Sequence, residues 1–225
     1  FANHVLSSSR ILFNHGLNME IVLVNPFLAV KKRSVKPRRT VWTKEQVQTF
    51  LNTAYGDYSS RNVGLIAQMA YEWCQRLGDM RMLQWDSIQF DKARVHIEQS
   101  KRRAEVFLPV SDDLLEMLAQ QQEDFGFQPY VAPMTEPIRG VYHPYSLHRL
   151  PKVARRIMRE AGLPEELRLS DLRRTGTTEM VDAGVGMAQI MSVTGHANPQ
   201  SVKPYMKNTF TSADLALTAR KNHDI

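Results

Sequence analysis

Residues 88–108 read IQFDKARVHIEQSKRRAEVFL. Apolar side chains alternate with polar ones at Ile88 and Phe90, at Val95 and Ile97, and at Val106 and Leu108, the two-residue period of half-buried strands. Asp91-Lys92 and the polar run from Ser100 to Ala104 separate the three segments. The spacing predicts a small antiparallel meander with Lys101, Arg102 and Arg103 at its second turn.

Outward from this stretch the apolar period lengthens to that of helices. Upstream, Thr43-Lys44-Glu45-Gln46 is a capping-box pattern, and Val47, Phe50, Leu51 and Ala54 follow at helical spacing. A second helix is expected from about Val63 to Cys74, with Ile66, Met69, Ala70 and Trp73 facing inward. Downstream, an acidic helix is expected from about Asp112, with Ser111 as its cap, and a proline-broken loop runs to Tyr145. From Leu147 to Ala161 an apolar stripe (Leu147, Leu150, Ala154, Ile157, Ala161) opposes a basic one (Arg149, Lys152, Arg156, Arg159). A helix from about Asp171 to Ala183 closes at Gly184, a short one precedes Gly195, and Asn198-Pro199 opens another turn. The fold class is therefore α+β: a mainly helical domain with a small three-stranded antiparallel sheet.

The 225 residues give room for one full domain and a fragment of another. A hydrophobic content of 43% can bury a core, which excludes disordered and low-complexity classes. No apolar run approaches the roughly 18 residues of a membrane span, so no membrane partner is expected. The chain begins at Phe1 without a secretory layout and reads as a cut through a longer protein. A lone Cys74 cannot form an internal disulfide and fits a reducing compartment. Residues 1–39 carry seven basic side chains and only Glu20, so they hold the whole net charge of +6. The remainder is balanced, with 22 charges of each sign. The cluster Lys31, Lys32, Arg33, Lys36, Arg38 and Arg39 points to a polyanion, most simply nucleic acid, or to a solvated linker. Ahead of it, Asn3 to His15 reads as a helix stopped by Gly16. One helix cannot bury its own face, which makes it the end of a preceding domain.

No phosphate-binding loop, zinc-protease helix or serine elbow occurs, and the seven His and one Cys lack metal-ligand spacing. Gly184-Val185-Gly186 begins like a dinucleotide fingerprint, but Gln189 replaces its third glycine, so it reads as a helix cap. Chemistry concentrates in the C-terminal third: Ser170-Asp171-Leu172-Arg173-Arg174, then Gly195-His196, then Tyr205. Upstream, Arg76 is followed three residues later by Asp79.

These residues, in this order and spacing, resemble the tyrosine recombinase (phage integrase) family over nearly the whole chain. The resemblance implies that residues 1–30 end a core-binding helical domain, 31–40 form a basic linker, and 41–225 form the catalytic domain with its tail. It assigns Arg76 and Arg173 to the phosphate oxygens, with Asp79 orienting Arg76, and His196 to a further hydrogen bond. Lys101 would protonate the departing 5′-oxygen, with Arg102 as a rival, and Tyr205 would be the nucleophile of a 3′-phosphotyrosyl link. Two guanidiniums suit this chemistry, since they stay charged and grip phosphate in a bidentate way.

The implied protein is a site-specific recombinase acting on double-stranded DNA without metal, nucleotide or other cofactor, as a homo-tetramer on paired sites. Its expected location is cytoplasmic, in a prokaryotic nucleoid or phage-infected cell. Lys31, Lys32, Arg33, Lys36, Arg38, Arg39, Arg102 and Arg103 are expected to contact DNA. Arg149, Lys152, Arg156 and Arg159 are expected either to contact it or to form a solvated face. Leu215 and Leu217 in the tail are expected to dock on a neighbouring protomer. Two departures matter. Ser170 stands where the family usually has His; it cannot take a proton near neutral pH and is expected either to hydrogen-bond a phosphate oxygen or to cap the helix bearing Arg173, while Pro204 places Tyr205 at a kink or short turn. A type IB topoisomerase and a binding protein that has lost catalysis are the alternatives.

Overall fold

The computed structural model describes residues 1–34, 38–101, 103–205 and 210–221. They divide into two compact units, Phe1–Arg39 and Thr40–Ile225.

The first unit is helix α1 (Ala2–Asn18) with a returning segment. Gly16 does not stop the helix. It lies inside it, where a Cβ would stand 3.1 Å from Val22, and the reversal uses Glu20 in the left-handed region (φ 55°). Arg10 ties the return down by donating to the carbonyls of Phe27, Leu28 and Val30. Buried Asn25 donates to Arg10 O and to Asn14, and accepts from Phe27 N–H. Asn3 exchanges two hydrogen bonds with the backbone of Arg33.

The second unit opens on buried Trp42, whose N–H donates to Thr175 Oγ1 and whose indole donates to Arg168 O. Helix α2 (Lys44–Tyr55) starts with the expected reciprocal capping box between Thr43 and Gln46, and buries Val47, Phe50, Leu51 and Ala54. Helix α3 (Arg61–Glu72) is the centre of the fold, packed on α2 and on two later helices, α6 (Arg149–Glu160) and α7 (Leu172–Asp182). It ends before Trp73, and Cys74 turns the chain with φ 51°. The short α4 (Leu77–Met80) then begins anew at Arg76. Burial pushes the Cys74 thiol up to about 11.

The meander is present in the order β1-β2-β3, antiparallel, with Ile88 opposite Val95 and Ile97 opposite Val106. β2 is Arg94–Glu98 and β3 is Glu105–Pro109. β1 holds only Ile88–Gln89, because Phe90 turns into a 3-10 segment and stacks on Trp85. Helix α5 (Asp112–Phe125) follows with Ser111 at its N-cap position, as expected, but the Ser111 hydroxyl donates to Glu72 and makes no capping hydrogen bond. Helix α6 starts at Arg149, whose N–H is taken by Ser146 Oγ, so Leu147 falls outside it and is 66% exposed. Helix α7 is followed by Gly184 with φ 75°, and helix α8 (Met187–Thr194) by Gly195 with φ 67°. Asn198 accepts from Gln200 N–H and Pro199 takes the first position of a 3-10 turn, as its sequence predicts. Helix α9 (Phe210–Lys221) contacts α7. Leu217 is half exposed, and the side chain of Leu215 lies outside the described residues.

Contact between α3 and α7 depends on Gly176. A Cβ there would lie 2.6 Å from Tyr71 O and 2.7 Å from Cys74 Sγ. Gly176→Ala is expected to cost about 2 kcal/mol through overpacking and to lower Tm by roughly 4–8 °C, measured by thermal denaturation.

Candidate functional site

Four elements bring the sequence-predicted residues together. Arg76 is held in extended geometry at the start of α4, Arg173 is on the first turn of α7, and His196 follows the left-handed Gly195 that closes α8. The 3-10 turn Lys203–Tyr205 packs on α7 and brings Tyr205 to the same place, in the short turn that Pro204 implied. Its N–H donates to Val202 O at 2.9 Å. The rings of His196 and Tyr205 are 6.0 Å apart, and the Arg174 guanidinium lies 5.0 Å from the Tyr205 ring centre.

Arg173 donates through Nη2 to Thr194 O at 2.7 Å, while its buried Nη1 has no hydrogen-bond partner among the described residues. Burial, followed by the charge of Arg76, holds the Arg173 guanidinium below its usual proton affinity; Tyr205 acts the other way. Two guanidiniums and a phenol are therefore within electrostatic reach of one another.

Arg76 is oriented by a residue the sequence reading did not single out. Its Nη1 donates to Gln99 Oε1 at 2.7 Å, whereas its approach to Asp79 is 3.7 Å. Asp79 is buried and accepts from both Ser100 N–H (3.1 Å) and Ser100 Oγ (2.6 Å). It thus clamps the residue before Lys101 as much as it faces Arg76. Lys101 is exposed on the four-residue turn that Gln99 and Ala104 close. His196 Nδ1 lies 2.6 Å from Thr194 Oγ1, whose own proton goes to Ile190 O, so the ring donates through Nδ1–H.

Ser170 is exposed in the 3-10 turn before α7. It does not cap that helix: Asp171 occupies the N-cap position. A cleft of about 330 Å³, lined by Leu77, Leu150, Pro151, Met158 and Leu169, opens beside it.

The outlying basic residues separate by partner. Lys31, Lys32, Arg33 and Arg39 are exposed and Arg38 is half-buried, while Lys36 and Arg102 lie outside the described residues. Arg103 is paired with Glu98 at 2.9 Å. Arg156 is exposed and turns to Asp57 (3.6 Å) and Ser59 (3.0 Å). Arg149, Lys152 and Arg159 are exposed on α6. Among the described residues there is no group of three or more His, Cys, Asp or Glu that could hold a metal ion. No helix of the described residues is long and apolar enough to cross a membrane.

Residues 40–212 match the model of the phage integrase family. Among solved structures, an integrase of the transposon Tn1549 in complex with transposon right end DNA is 14% identical. It has a TM-score of 0.75 over 98% of this chain and 79% of its own. A lambda integrase dimer bound to a COC′ core site is 19% identical with a TM-score of 0.72, over 92% of this chain and 59% of its own. XerA recombinase is 12% identical with a TM-score of 0.64, over 93% of this chain and 72% of its own. At these identities the likeness is one of fold. No curated protein matches the sequence.

Proposed function

The chain belongs to the phage integrase family, and from that premise we propose that it breaks and rejoins duplex DNA through a covalent link at Tyr205. The observation that carries the reading is the guanidinium of Arg173, half-buried beside Arg76 and Tyr205 with Nη1 unpartnered. Buried donors are almost always paired, and a cation held near a second cation is stabilised by an anion. A phosphodiester supplies both.

In this reading Tyr205 Oη gives up its proton to water and attacks phosphorus as the P–O5′ bond breaks, leaving a 3′-phosphotyrosyl link and a 5′-hydroxyl. Arg76 and Arg173 stabilise the charge on the non-bridging oxygens. Lys101 reaches in from its exposed turn to give the 5′-oxygen its proton. A hydrogen bond from His196 Nε2 to phosphate requires a ring protonated on both nitrogens, because Nδ1–H is already committed to Thr194. Attack by a 5′-hydroxyl reverses the chemistry and rejoins the strand, with the bond energy kept in the phosphotyrosine. A homo-tetramer on paired DNA sites in the cytoplasm belongs to the same proposal; the lambda integrase tetramer bound to a Holliday junction is a solved structure of similar fold.

The weak step is loss of the Tyr205 proton. Ser170 offers no base, and this favours a second reading in which the chain binds DNA but cleaves it poorly. The test is supercoiled plasmid in EDTA without ATP, scored for relaxation and for protein–DNA adducts on denaturing gels. The parent chain is expected to give both. Ser170→His is expected to raise the adduct rate by about 10- to 100-fold, since position 170 is exposed just ahead of the helix that carries Arg173 and an imidazole is a base near neutral pH where a hydroxyl is not. Binding with no adduct in either form would favour the second reading.

The basic segment supplies affinity without sequence choice. Replacing Lys31, Lys32 and Arg33 by Ala is expected to make the slope of log K against log salt shallower by about 2–3, measured by gel shift. An unchanged slope would remove them from the interface.

A further inference from the structure

We propose that Gln99 is a positioning residue that sets the two phosphate-binding guanidiniums in one frame, an inference that rests on the cleavage reading of the same site. Gln99 is fully buried, and its side-chain amide joins both arginine arms. Oε1 accepts from Arg76 Nη1 at 2.7 Å, and Nε2 donates to Thr194 O at 2.9 Å. The same Thr194 carbonyl accepts from Arg173 Nη2 at 2.7 Å. The path from one guanidinium to the other is thus one amide and one carbonyl.

The orientation of that amide is dictated by chemistry. Arg76 can only donate and the Thr194 carbonyl can only accept, so Oε1 must face the first and Nε2 the second. Gln75, also buried, fixes it further. Its Nε2 donates to the carbonyls of Trp73 and Val193, both at 2.7 Å, which leaves its Oε1 to accept from Gln99 Nε2 at 2.6 Å. The backbone of Gln99 closes the Lys101 turn, donating to Ala104 O and accepting from Arg103 N–H. Its amide also occupies space that only glycine leaves open, since a Cβ on Gly195 would lie 2.5 Å from Gln99 Nε2. Arg76, Gly195 just before His196 and, through Thr194 O, Arg173 are tied to this side chain, and the Lys101 turn to its backbone.

Stability alone would not choose glutamine here. Val95 and Ile97 point inward from β2, and position 99 continues that alternation, where the pattern alone calls for an aliphatic side chain; the amide is needed there only because Arg76, Gln75 and Thr194 present groups for it to pair. Asp79 is the other orienter of Arg76, but at 3.7 Å against 2.7 Å it sets the guanidinium plane less firmly.

The test uses inorganic sulfate as the probe, because its charge is constant between pH 5 and 8 and no DNA site need be known. The arginine Nε–H signals of Arg76 and Arg173 in the whole chain are followed by NMR during a sulfate titration. In the parent both are expected to shift with one common affinity. Gln99→Met, close in volume, is expected to weaken it about 10-fold through loss of the charge-assisted hydrogen bond to Arg76, with DNA gel shift within about threefold. In an Arg76→Ala background the same change is expected to have no further effect, which separates positioning through Arg76 from a general loosening of the fold. Gln99→Glu, isosteric and still an acceptor for Arg76, sets its carboxylate against Thr194 O and Gln75 Oε1. It is expected to bind sulfate at least about threefold more weakly than the parent, so the proposal stays testable if Gln99→Met does not fold. Parent-like affinity in either folded variant, or an equal loss in the Arg76→Ala background, would overturn the role of Gln99 alone. Parent guanidiniums that do not respond to sulfate at all would overturn it together with the anion-site reading beneath it.

Discussion

Tyr205→Phe is expected to remove covalent capture of DNA, by at least about three orders of magnitude on denaturing gels, with DNA affinity within about threefold of the parent. The substitution takes away one atom and little else. The ring keeps its place 5.0 Å from the Arg174 guanidinium and 6.0 Å from the His196 ring. The turn that carries it is made by backbone, Tyr205 N–H to Val202 O, and by Pro204, neither of which depends on the hydroxyl. Loss of adduct with loss of binding would mean that Tyr205 is an anchor for the turn and not a nucleophile. An adduct that persists would place the nucleophile elsewhere.

Arg173→Ala is expected to slow adduct formation by about 10²–10³-fold under single-turnover conditions at saturating protein, the usual scale for one lost transition-state donor. Arg173→Lys should recover little of this. The guanidinium performs two tasks at once: Nη2 holds Thr194 O, and Nη1 remains for the phosphate. A single ammonium satisfies one of them, so the lysine variant is expected to stay at least about 10-fold below the parent. Because Thr194 precedes Gly195 and His196, the alanine change also releases the end of α8. A rate within about threefold of the parent in Arg173→Ala would remove the central cation from the mechanism.

The parts of this protein legible in its sequence are those with local causes. The capping box at Thr43 is written in side chains three residues apart, and the meander is written in alternation; both are present. The short turn at Tyr205 follows from the missing N–H of Pro204. Element ends were less legible, because tertiary partners decide them. Ser111 holds the cap position but Glu72, distant in sequence, takes its hydroxyl, and Phe90 looks like strand until Trp85 stacks on it.

In the site, ordered residues were visible but their connections were not. Arg76 and Asp79 at a separation of three suggested a direct pair, yet the first partner of Arg76 is Gln99, 23 residues further along the chain, just past the end of β2. A signal existed: a polar residue at an inward position of a strand pattern, directly after Val95 and Ile97. Arg174 carried a weaker one, as the second arginine of a pair whose first member drew the attention. For Arg156 the stripe was real, but Asp57 and Ser59 lie nearly a hundred residues upstream, and no spacing on one helix reports them.

The central claim is that Tyr205 becomes covalently joined to a DNA phosphate. The most direct measurement is to trap the protein on duplex DNA in EDTA, digest DNA and protein, and locate the residue carrying the nucleotide by mass spectrometry. The predicted result is a nucleotide linked through its 3′-phosphate to Tyr205, with a 5′-hydroxyl on the released strand. A nucleotide on any other residue, or DNA that binds and is recovered without a covalent partner, would contradict the account.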